Sequence, residues 1–321
     1  MLVSMIALVI GSEGQDGRIL ISKLSNLGYR ILSVSRKTAY FQSESIPFCD
    51  LSQIDLAHQF LSAYQPDLIF HVAAVHGSSD TQASTIDTQS AAMHACHVGI
   101  TQNVVSWLPS HPTTRFHVAL SSQMYQVANL KGPVDESTQT DPQNFYGQTK
   151  SEAWECIRKY RGPQDLLISA SILFNHASKY SRGEFVFSQI ADQFVDVMEG
   201  RKDNFSLRNP FAKIDISSAF EICDAMILNV TEYPTEDFVL ASGSTITLSE
   251  IIIRTVSNVG ITSHVSNLDM FRQPSTLNIS PVVESDPRKA YELLGWKAES
   301  SPEKILVEMI THKLRGEKNS I

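Results

Sequence analysis

A chain of 321 residues with 42% hydrophobic and 19% charged side chains has the composition of a globular protein that can bury a large core. Its formal net charge of −8 and its lack of a Lys/Arg run exclude a basic stripe for nucleic acid. No apolar stretch is long enough for a membrane span or a signal peptide, and the widely spaced cysteines favour a reduced, cytoplasmic protein without a metal site.

The first apolar run, residues 5–10, predicts a buried strand of a parallel sheet, and a glycine-rich turn follows it directly. Gly11, Gly14 and Gly17 recur at every third position, and the apolar residues after them keep helical spacing as far as Gly28. This order is typical of a dinucleotide-binding unit, because a bare turn and a helix N-terminus can receive a pyrophosphate. By itself the turn could also be an ordinary connection of an α/β protein.

The residues after the second predicted strand, 29–34, bear on the choice of cofactor. An NAD site is expected to place a carboxylate here for the ribose 2′-hydroxyl, whereas cations favour a 2′-phosphate. The chain reads Ser35-Arg36-Lys37, with no carboxylate. Arg36 and Lys37 are therefore predicted to bind the 2′-phosphate of NADP, and NAD is the less favoured cofactor.

Three further strands are predicted at 47–49, 67–74 and 116–120, with helices over 56–64 and 85–107 between them. Small side chains at the carboxyl end of a strand in an open sheet permit close approach by a ligand. The candidates at these three strand ends are Asp50 and Leu51, then Ala73 and Ala74, then Ser121, Ser122 and Gln123.

A helix is predicted to begin at Tyr146, and it carries Tyr146 and Lys150 on one face because they lie four residues apart. A lysine there can lower the pKa of the phenol and bind the cofactor ribose, while Ser121 or Ser122 binds the substrate oxygen. Tyr146 could then act as a general acid or base at neutral pH. Such pairs occur by chance on many helices, but together with the glycine turn they indicate a catalytic set.

These motifs resemble those of the extended short-chain dehydrogenases/reductases and, within that group, the GDP-mannose 4,6-dehydratase family. The most specific stretches are Gly-Gln-Asp-Gly at 14–17 and Leu-Phe-Asn-His at 173–176. Other matching stretches lie at 35–37, 71–74, 121–122, 146–150, 182–184, 237–241, 286–290 and 294–297. The resemblance implies an α/β fold, a Rossmann-like doubly wound parallel sheet with a smaller C-terminal α/β substrate lobe.

The resemblance also implies how the chain is divided. Residues 1–175 and 214–243 are expected to form the NADP-binding domain, and residues 176–213 and 244–321 the nucleotide-sugar-binding lobe. A strand predicted at 238–241 returns to the cofactor sheet, while helices predicted at 185–198, 248–259 and 305–314 belong to the lobe. A homodimer or homotetramer is implied, since the family commonly pairs through the helix that carries Tyr146.

Residue by residue, the resemblance assigns three sets of roles. The expected cofactor-binding residues are Gly11, Gly14, Gln15, Asp16, Gly17, Arg36, Lys37, Asp50, Leu51, Ala73, Ala74, Tyr146, Lys150 and His176. The expected residues for a nucleotide sugar, GDP-linked by this resemblance, are Ser122, Asn175, Arg182, Arg208 and Arg272, the guanidinium groups matching diphosphate oxygens. The catalytic positions are Ser121, Gln123, Tyr146 and Lys150.

One catalytic position departs from the family pattern. The family's glutamate after the fifth strand is Gln123 here, and an amide has no useful basicity near neutral pH. The resemblance implies that Tyr146 removes the O4 proton as hydride leaves C4 for the nicotinamide, and this step is retained. The base that removes the C5 proton before water leaves C6 is missing.

Three interpretations stay open. The first is an NADP-dependent GDP-sugar enzyme limited to C4 oxidation, 4-keto reduction or epimerisation. The second is a true 4,6-dehydratase in which His76, His97 or Glu184 replaces the missing base; His97 stands where the family usually has an asparagine. The third is a catalytically silent NADP-binding regulator, which the intact catalytic set argues against.

Overall fold

A computed structural model describes residues 5–75, 83–126, 130–272 and 282–316 of the chain. Within these residues the strands are β1 (Ile6–Ile10), β2 (Arg30–Val34), β3 (Ala39–Phe41), β4 (Glu44–Ile46), β5 (Leu68–His71), β6 (Arg115–Ala119), β7 (Ile168–Leu173), β8 (Asn175–Ala177), β9 (Lys213–Ile214), β10 (Ile216–Ser218), β11 (Asp237–Leu240) and β12 (Ile246–Thr247). The helices are α1 (Gln15–Asn26), α2 (Ile54–Tyr64), α3 (Ala83–His94), α4 (Ile100–Trp107), α5 (Phe145–Gln164), α6 (Val186–Met198), α7 (Ala219–Glu232), α8 (Leu248–Val259), α9 (Leu268–Arg272), α10 (Arg288–Leu294) and α11 (Pro302–Leu314).

The larger part of the chain is built on one mixed sheet with the strand order β11-β7-β6-β5-β1-β2-β3-β4. Strands β11, β7, β6, β5, β1 and β2 run parallel, and only the β3–β4 edge is antiparallel. After β4 the chain returns to the other side of β1, which makes β1 and β5 the switch point of the sheet. The predicted doubly wound α/β fold is confirmed.

Helices cover both faces of this sheet. Successive residues of each strand point to opposite faces, so alternate residues of β1 pack against different helices. On one face Leu8 and Ile10 of β1 belong to a buried cluster with α2, α4 and α5. On the other face Ala7 and Val9 belong to a cluster with α1, α7 and α10. Both faces of β1 are therefore dry, as its uninterrupted apolar sequence indicates.

A third buried cluster joins α6, α8, α9 and α11, with Phe194, Ile252 and Leu306 among its fully buried side chains. Two small sheets, the parallel pair β8–β10 and the antiparallel pair β9–β12, lie beside these helices. The four helices and β12 come from the predicted substrate lobe, whereas β8 and β9 lie at its predicted boundaries and β10 lies in a segment predicted for the cofactor-binding domain. Strand β11 has joined the main sheet as expected. The boundaries of the two domains stay a prediction.

The strand predicted at 47–49 is wrong, and the hairpin β3–β4 lies before it instead. Gln42 and Ser43 form the two-residue turn of this hairpin with φ values of 51° and 69°. Turns of this kind favour Asn-Gly, so the Gln-Ser pair carries no hairpin signal. Pro47 lacks the N–H group that a continuing ladder would need.

The helix predicted over 85–107 is present but interrupted. A single π-helical turn, Ala95–Gly99, separates α3 from α4. Such a turn inserts an extra residue and is frequent at functional sites. Here it carries Cys96 and His97 next to the strand ends described below. Among the described residues, no helix is long and apolar enough to cross a membrane.

Candidate active site

A cavity of about 810 Å³ opens at the carboxyl ends of the central strands. It lies at the β1–β5 switch point, where open α/β sheets bind their ligands. Its wall brings together Gly11, Gly14, Gln15, Asp16, Arg36, Asp50, Leu51, Ala73, Ala74, Ser121, Ser122, Gln123, Tyr146, Lys150, Asn175, His176 and Arg182. Gly17, Lys37 and Arg208 do not line it, and His76 and the side chain of Arg272 lie outside the described residues.

The glycine turn forms a bare part of the cavity wall. Gly11 has a φ of +99°, and a Cβ atom built on it would lie 2.6 Å from the backbone nitrogen of Ala73. A Cβ atom on Gly17 would collide with the carbonyl group of Gly11. Helix α1 begins at Gln15, so the unpaired N–H groups of its first turn lie beside this backbone. The turn therefore fits the pyrophosphate of a nicotinamide dinucleotide.

A charged pair ties this turn to the loop after β7. The Nε2 atom of His176 lies 3.1 Å from a carboxylate oxygen of Asp16, and its Nδ1 atom lies 2.8 Å from the carbonyl oxygen of Phe174. Burial acts to lower the pKa of His176, but the charge and hydrogen bond of Asp16 outweigh it and raise that pKa. Burial likewise opposes ionisation of Asp16, yet His176 brings its pKa below the ordinary value. Each of the two groups therefore stabilises the charged form of the other.

Tyr146, Ser121 and Lys150 meet at the ends of β6 and α5. The Tyr146 and Ser121 side chains are hydrogen bonded, and the Lys150 ammonium lies 5.9 Å from the centre of the Tyr146 ring. Lys150 is 3% exposed and donates a hydrogen bond of 2.8 Å to the carbonyl oxygen of Ala119. The sequence analysis brought these three residues together correctly.

The structure does not show the expected lowering of the phenol pKa by Lys150. Burial raises the pKa of Tyr146, and the hydrogen bond with Ser121 lowers it only in part. Burial also lowers the pKa of Lys150 to about 8. Both shifts have one physical cause, which is that a dry site disfavours the charged form of either group. The sequence spacing carries no information about this burial.

His97 lies behind Tyr146, and both of its ring nitrogens are hydrogen bonded. Its Nε2 atom accepts the N–H group of Val75 at 3.1 Å, so the proton of the neutral ring is on Nδ1. Nδ1 lies 2.8 Å from the hydroxyl oxygen of Thr149, which in turn donates to the carbonyl oxygen of Tyr146. The rings of His97 and Tyr146 meet edge to face at 5.2 Å. His97 is thus a neutral packing partner of Tyr146 rather than a free base.

Gln123 lines the cavity in the short turn after β6. Its Oε1 atom accepts a hydrogen bond of 3.2 Å from the Nδ2 atom of Asn144. The other end of the Asn144 side chain accepts the N–H group of Gly147 at 2.7 Å and so caps helix α5. Asn144 therefore ties the position of Gln123 to the helix that carries Tyr146. The sequence analysis missed Asn144, although its place just before the helix was a capping signal.

The carboxylates that line the described part of the cavity are already hydrogen bonded within the protein. Asp16 pairs with His176, Asp50 accepts from the hydroxyl of Ser52 at 2.7 Å, and Glu13 accepts from Ser35 at 2.9 Å. Glu184, which the sequence analysis considers as a replacement base, does not line the cavity. Its Oε1 atom lies 3.7 Å from the Nη1 atom of Arg182. Among the described residues that line the cavity, no carboxylate is hydrogen bonded to the side chain of Gln123, whose partner is Asn144.

The predicted substrate residues are only partly together. Ser122, Asn175 and Arg182 line the cavity, and the Asn175 amide donates to the carbonyl oxygen of Asp215 at 3.2 Å. Arg208 is exposed and away from the cavity wall. The cavity also includes Phe185 and Phe187 from the start of α6, which the sequence analysis did not single out.

Sequence comparison relates the chain to known enzymes. The sequence model of one family, described as GDP-mannose 4,6 dehydratase, matches residues 8–309. GDP-mannose 4,6 dehydratase 1 of Arabidopsis thaliana is 25% identical over 334 residues, which cover 96% of this chain and 90% of that protein.

Similar folds occur among solved structures. A dTDP-glucose 4,6-dehydratase from Bacillus anthracis, in complex with NAD, superposes with a TM-score of 0.76 at 15% identity and covers 98% of both chains. A structure of RMD from Pseudomonas aeruginosa complexed with NADPH gives a TM-score of 0.72 at 17% identity and covers 96% of this chain and 98% of that one. At these identities the likeness is one of fold.

Proposed function

Because the chain belongs to the GDP-mannose 4,6-dehydratase family within the extended short-chain dehydrogenases/reductases, we propose that it is a nucleotide-sugar oxidoreductase acting at sugar C4. One observation carries the proposal: Tyr146, hydrogen bonded to Ser121 and close to the buried Lys150, faces the same cavity as Gln123. The set for moving a proton at O4 is complete, while the group beside it is an amide. The substrate is proposed to be a GDP-linked hexose.

The residues of the chain supply the proton chemistry of this step. A bound nicotinamide would exchange hydride with C4. Tyr146 exchanges the proton of O4, donating it to a 4-keto oxygen in reduction and taking it from the hydroxyl group in oxidation. Ser121 binds the same oxygen through its hydroxyl group. Lys150, whose ammonium lies 5.9 Å from the centre of the Tyr146 ring, would bind the ribose of the dinucleotide.

Loss of water from C5 and C6 would need a further base. The amide of Gln123 can accept or donate hydrogen bonds but cannot take the C5 proton at neutral pH. His97 is engaged on both nitrogens, and Glu184 does not line the cavity. These contacts support an enzyme that keeps the C4 redox step and lacks the elimination. The alternative, a 4,6-dehydratase with a replacement base, is the outcome that the following assay would detect.

The assay is incubation of the purified protein with GDP-mannose and a mixture of NAD and NADP, with products followed by mass. We expect reduced nicotinamide and a sugar that has lost two hydrogens, with no product that has lost one water. UDP-glucose is the control substrate, because it tests whether the protein requires a GDP-linked sugar. A product lacking one water would establish the dehydratase, and no reduced nicotinamide with any sugar would contradict the proposed oxidoreductase.

The buried ammonium of Lys150 should make stability depend on pH in a predictable way. Its pKa is about 8 in the folded protein against 10.5 ordinarily, so the unfolded chain binds more protons between these values. Stability contributed by this group therefore rises with pH through this window, by roughly 3 kcal/mol if the shift is fully realised.

Unfolding by denaturant at neutral pH and near pH 10.5, for the unmodified protein and for Lys150→Met, measures this effect. We subtract the free energy of unfolding of the variant from that of the unmodified protein at each pH. This difference should be about 2–3 kcal/mol larger near pH 10.5 than at neutral pH. Lys159→Met is the control, because Lys159 is exposed on the same helix. A difference that stays constant with pH would contradict the burial of a charged Lys150.

Two features of the cavity bear on whether the cofactor is NADP or NAD. Arg36 lines the cavity at the end of β2, which supports the NADP predicted from the sequence, although Lys37 does not line it. The carboxylate of Glu13 also lies at the end of β2, through its contact with Ser35. The first feature favours a 2′-phosphate and the second opposes it.

A further inference from the structure

Glu13 stands in the glycine turn but its carboxylate reaches the end of the neighbouring strand. One of its oxygens accepts hydrogen bonds of 2.9 Å from the Ser35 hydroxyl and 2.9 Å from the Thr38 hydroxyl. The turn itself is tied to β2, since the N–H groups of Gly11 and Ser12 both donate to the carbonyl oxygen of Val34. The position of the carboxylate is therefore set by both strands.

The end of the second strand is where doubly wound folds bind the adenosine ribose of a dinucleotide. A carboxylate there accepts a hydrogen bond from the 2′-hydroxyl of NAD, and it usually follows the second strand in sequence. In this chain the residues after β2 are Ser35, Arg36 and Lys37, and the carboxylate comes instead from the preceding turn, 22 residues away from Ser35. Along the sequence, no acidic residue stands directly after β2.

The surroundings of Glu13 keep it ionised. The hydrogen bonds from Ser35 and Thr38 lower its pKa, and the charges of Arg36 and Arg18 lower it further. The two hydroxyl groups that could donate to a phosphate are thus already donating to the carboxylate. Arg36, the cation invoked for NADP, already faces an anion of the protein. A 2′-phosphate would bring at least one more negative charge beside Glu13, whereas a 2′-hydroxyl can donate to it.

We infer that Glu13 determines the cofactor choice of this protein in favour of NAD over NADP. The inference rests on the proposed function only in requiring that a nicotinamide dinucleotide binds in the cavity. The preference comes from acceptance of the ribose hydroxyl and from repulsion of the 2′-phosphate. If the Glu13 side chain instead swung away, Ser35, Thr38 and Arg36 would form a phosphate site, and NADP would bind more tightly.

The test measures equilibrium binding of NAD and NADP by calorimetry, without turnover, to the unmodified protein and to Glu13→Gln. The unmodified protein should bind NAD at least about tenfold more tightly, and the variant should lower the ratio of NAD to NADP affinity by about 10- to 100-fold. Glu13→Asp keeps the charge and should keep the sign of the preference. Glu44→Gln, which removes an exposed charge from β4, is the matched control and should leave the ratio unchanged.

Salt gives a second readout of the same interaction. Because the discrimination is electrostatic and partly exposed to solvent, added salt should narrow the NAD preference of the unmodified protein and change the ratio little in Glu13→Gln. Preference for NADP by the unmodified protein, or an unaltered ratio in Glu13→Gln, would overturn the role of Glu13 while leaving the proposed function standing. Failure of both dinucleotides to bind would instead overturn the proposed function and the role of Glu13 with it.

Discussion

Replacing Tyr146 by phenylalanine should lower the rate of hydride exchange with GDP-mannose by about 10²–10⁴-fold, the range expected for loss of a positioned acid or base. The substitution removes only the phenol oxygen and its hydrogen bond with Ser121. The ring can keep its edge-to-face contact with His97 at 5.2 Å. Affinity for the dinucleotide should therefore change little, and the free energy of unfolding should not fall greatly.

The measurement is reduced-nicotinamide absorbance in a single turnover, with dinucleotide binding followed separately by calorimetry. Tyr160→Phe is the matched control, since Tyr160 lies on the same helix and packs against the core beneath the sheet. It should retain the rate of the unmodified protein. A rate within a few-fold of the unmodified protein in Tyr146→Phe would show that another group moves the O4 proton.

Replacing Gln123 by glutamate should introduce the elimination that the unmodified protein lacks under the proposed function. The carboxylate is close in shape to the amide, and Asn144 can donate to it as it now donates to the Gln123 oxygen at 3.2 Å. It would stand in the cavity near Tyr146 and could take the C5 proton of a 4-keto intermediate. A well-placed base contributes about 10²–10⁴-fold, so the water-loss product should rise from background to a readily measured level.

The assay follows uptake of solvent deuterium at C5 together with formation of a 4-keto-6-deoxy sugar. Gln148→Glu adds the same charge to an exposed position at the start of the same helix and should give neither signal. Rapid loss of water by the unmodified protein would contradict the argument. It would point to a replacement base, with His76 the first residue to substitute, because His97 and Glu184 are engaged elsewhere.

The sequence by itself determined the elements whose signal is local. The apolar run at 5–10, the three glycines after it and the helical spacing beyond predicted the first strand, turn and helix, which the structure has as β1, the bare turn and α1. The spacing of Tyr146 and Lys150 placed both on one helical face for the same reason. Periodicity and turn chemistry depend on residues that are close in the sequence. The elements that they predict therefore depend little on the rest of the fold.

Other features depended on contacts between distant residues, and only the tertiary structure decided them. The raised pKa of Tyr146 follows from its burial in the folded protein. The four-residue spacing of Tyr146 and Lys150 carries no information about that burial. The hydrogen bond between Gln123 and Asn144 joins two loops, and the exposed position of Arg208 follows from how the lobe packs. The turn of the hairpin β3–β4 requires positive φ values at Gln42 and Ser43, and the residue types Gln and Ser do not predict such values.

Glu13 shows the same division in one residue. Its place between two glycines predicts only a turn, and the residues directly after the second strand, where a cofactor-selecting carboxylate is expected, include no acidic side chain. Parallel pairing of β1 with β2, with Ile10 beside Val34, brings the turn to the end of that strand and sets the carboxylate against Ser35. The sequence contains both residues, but their distance in space is fixed by strand pairing, which no local pattern encodes.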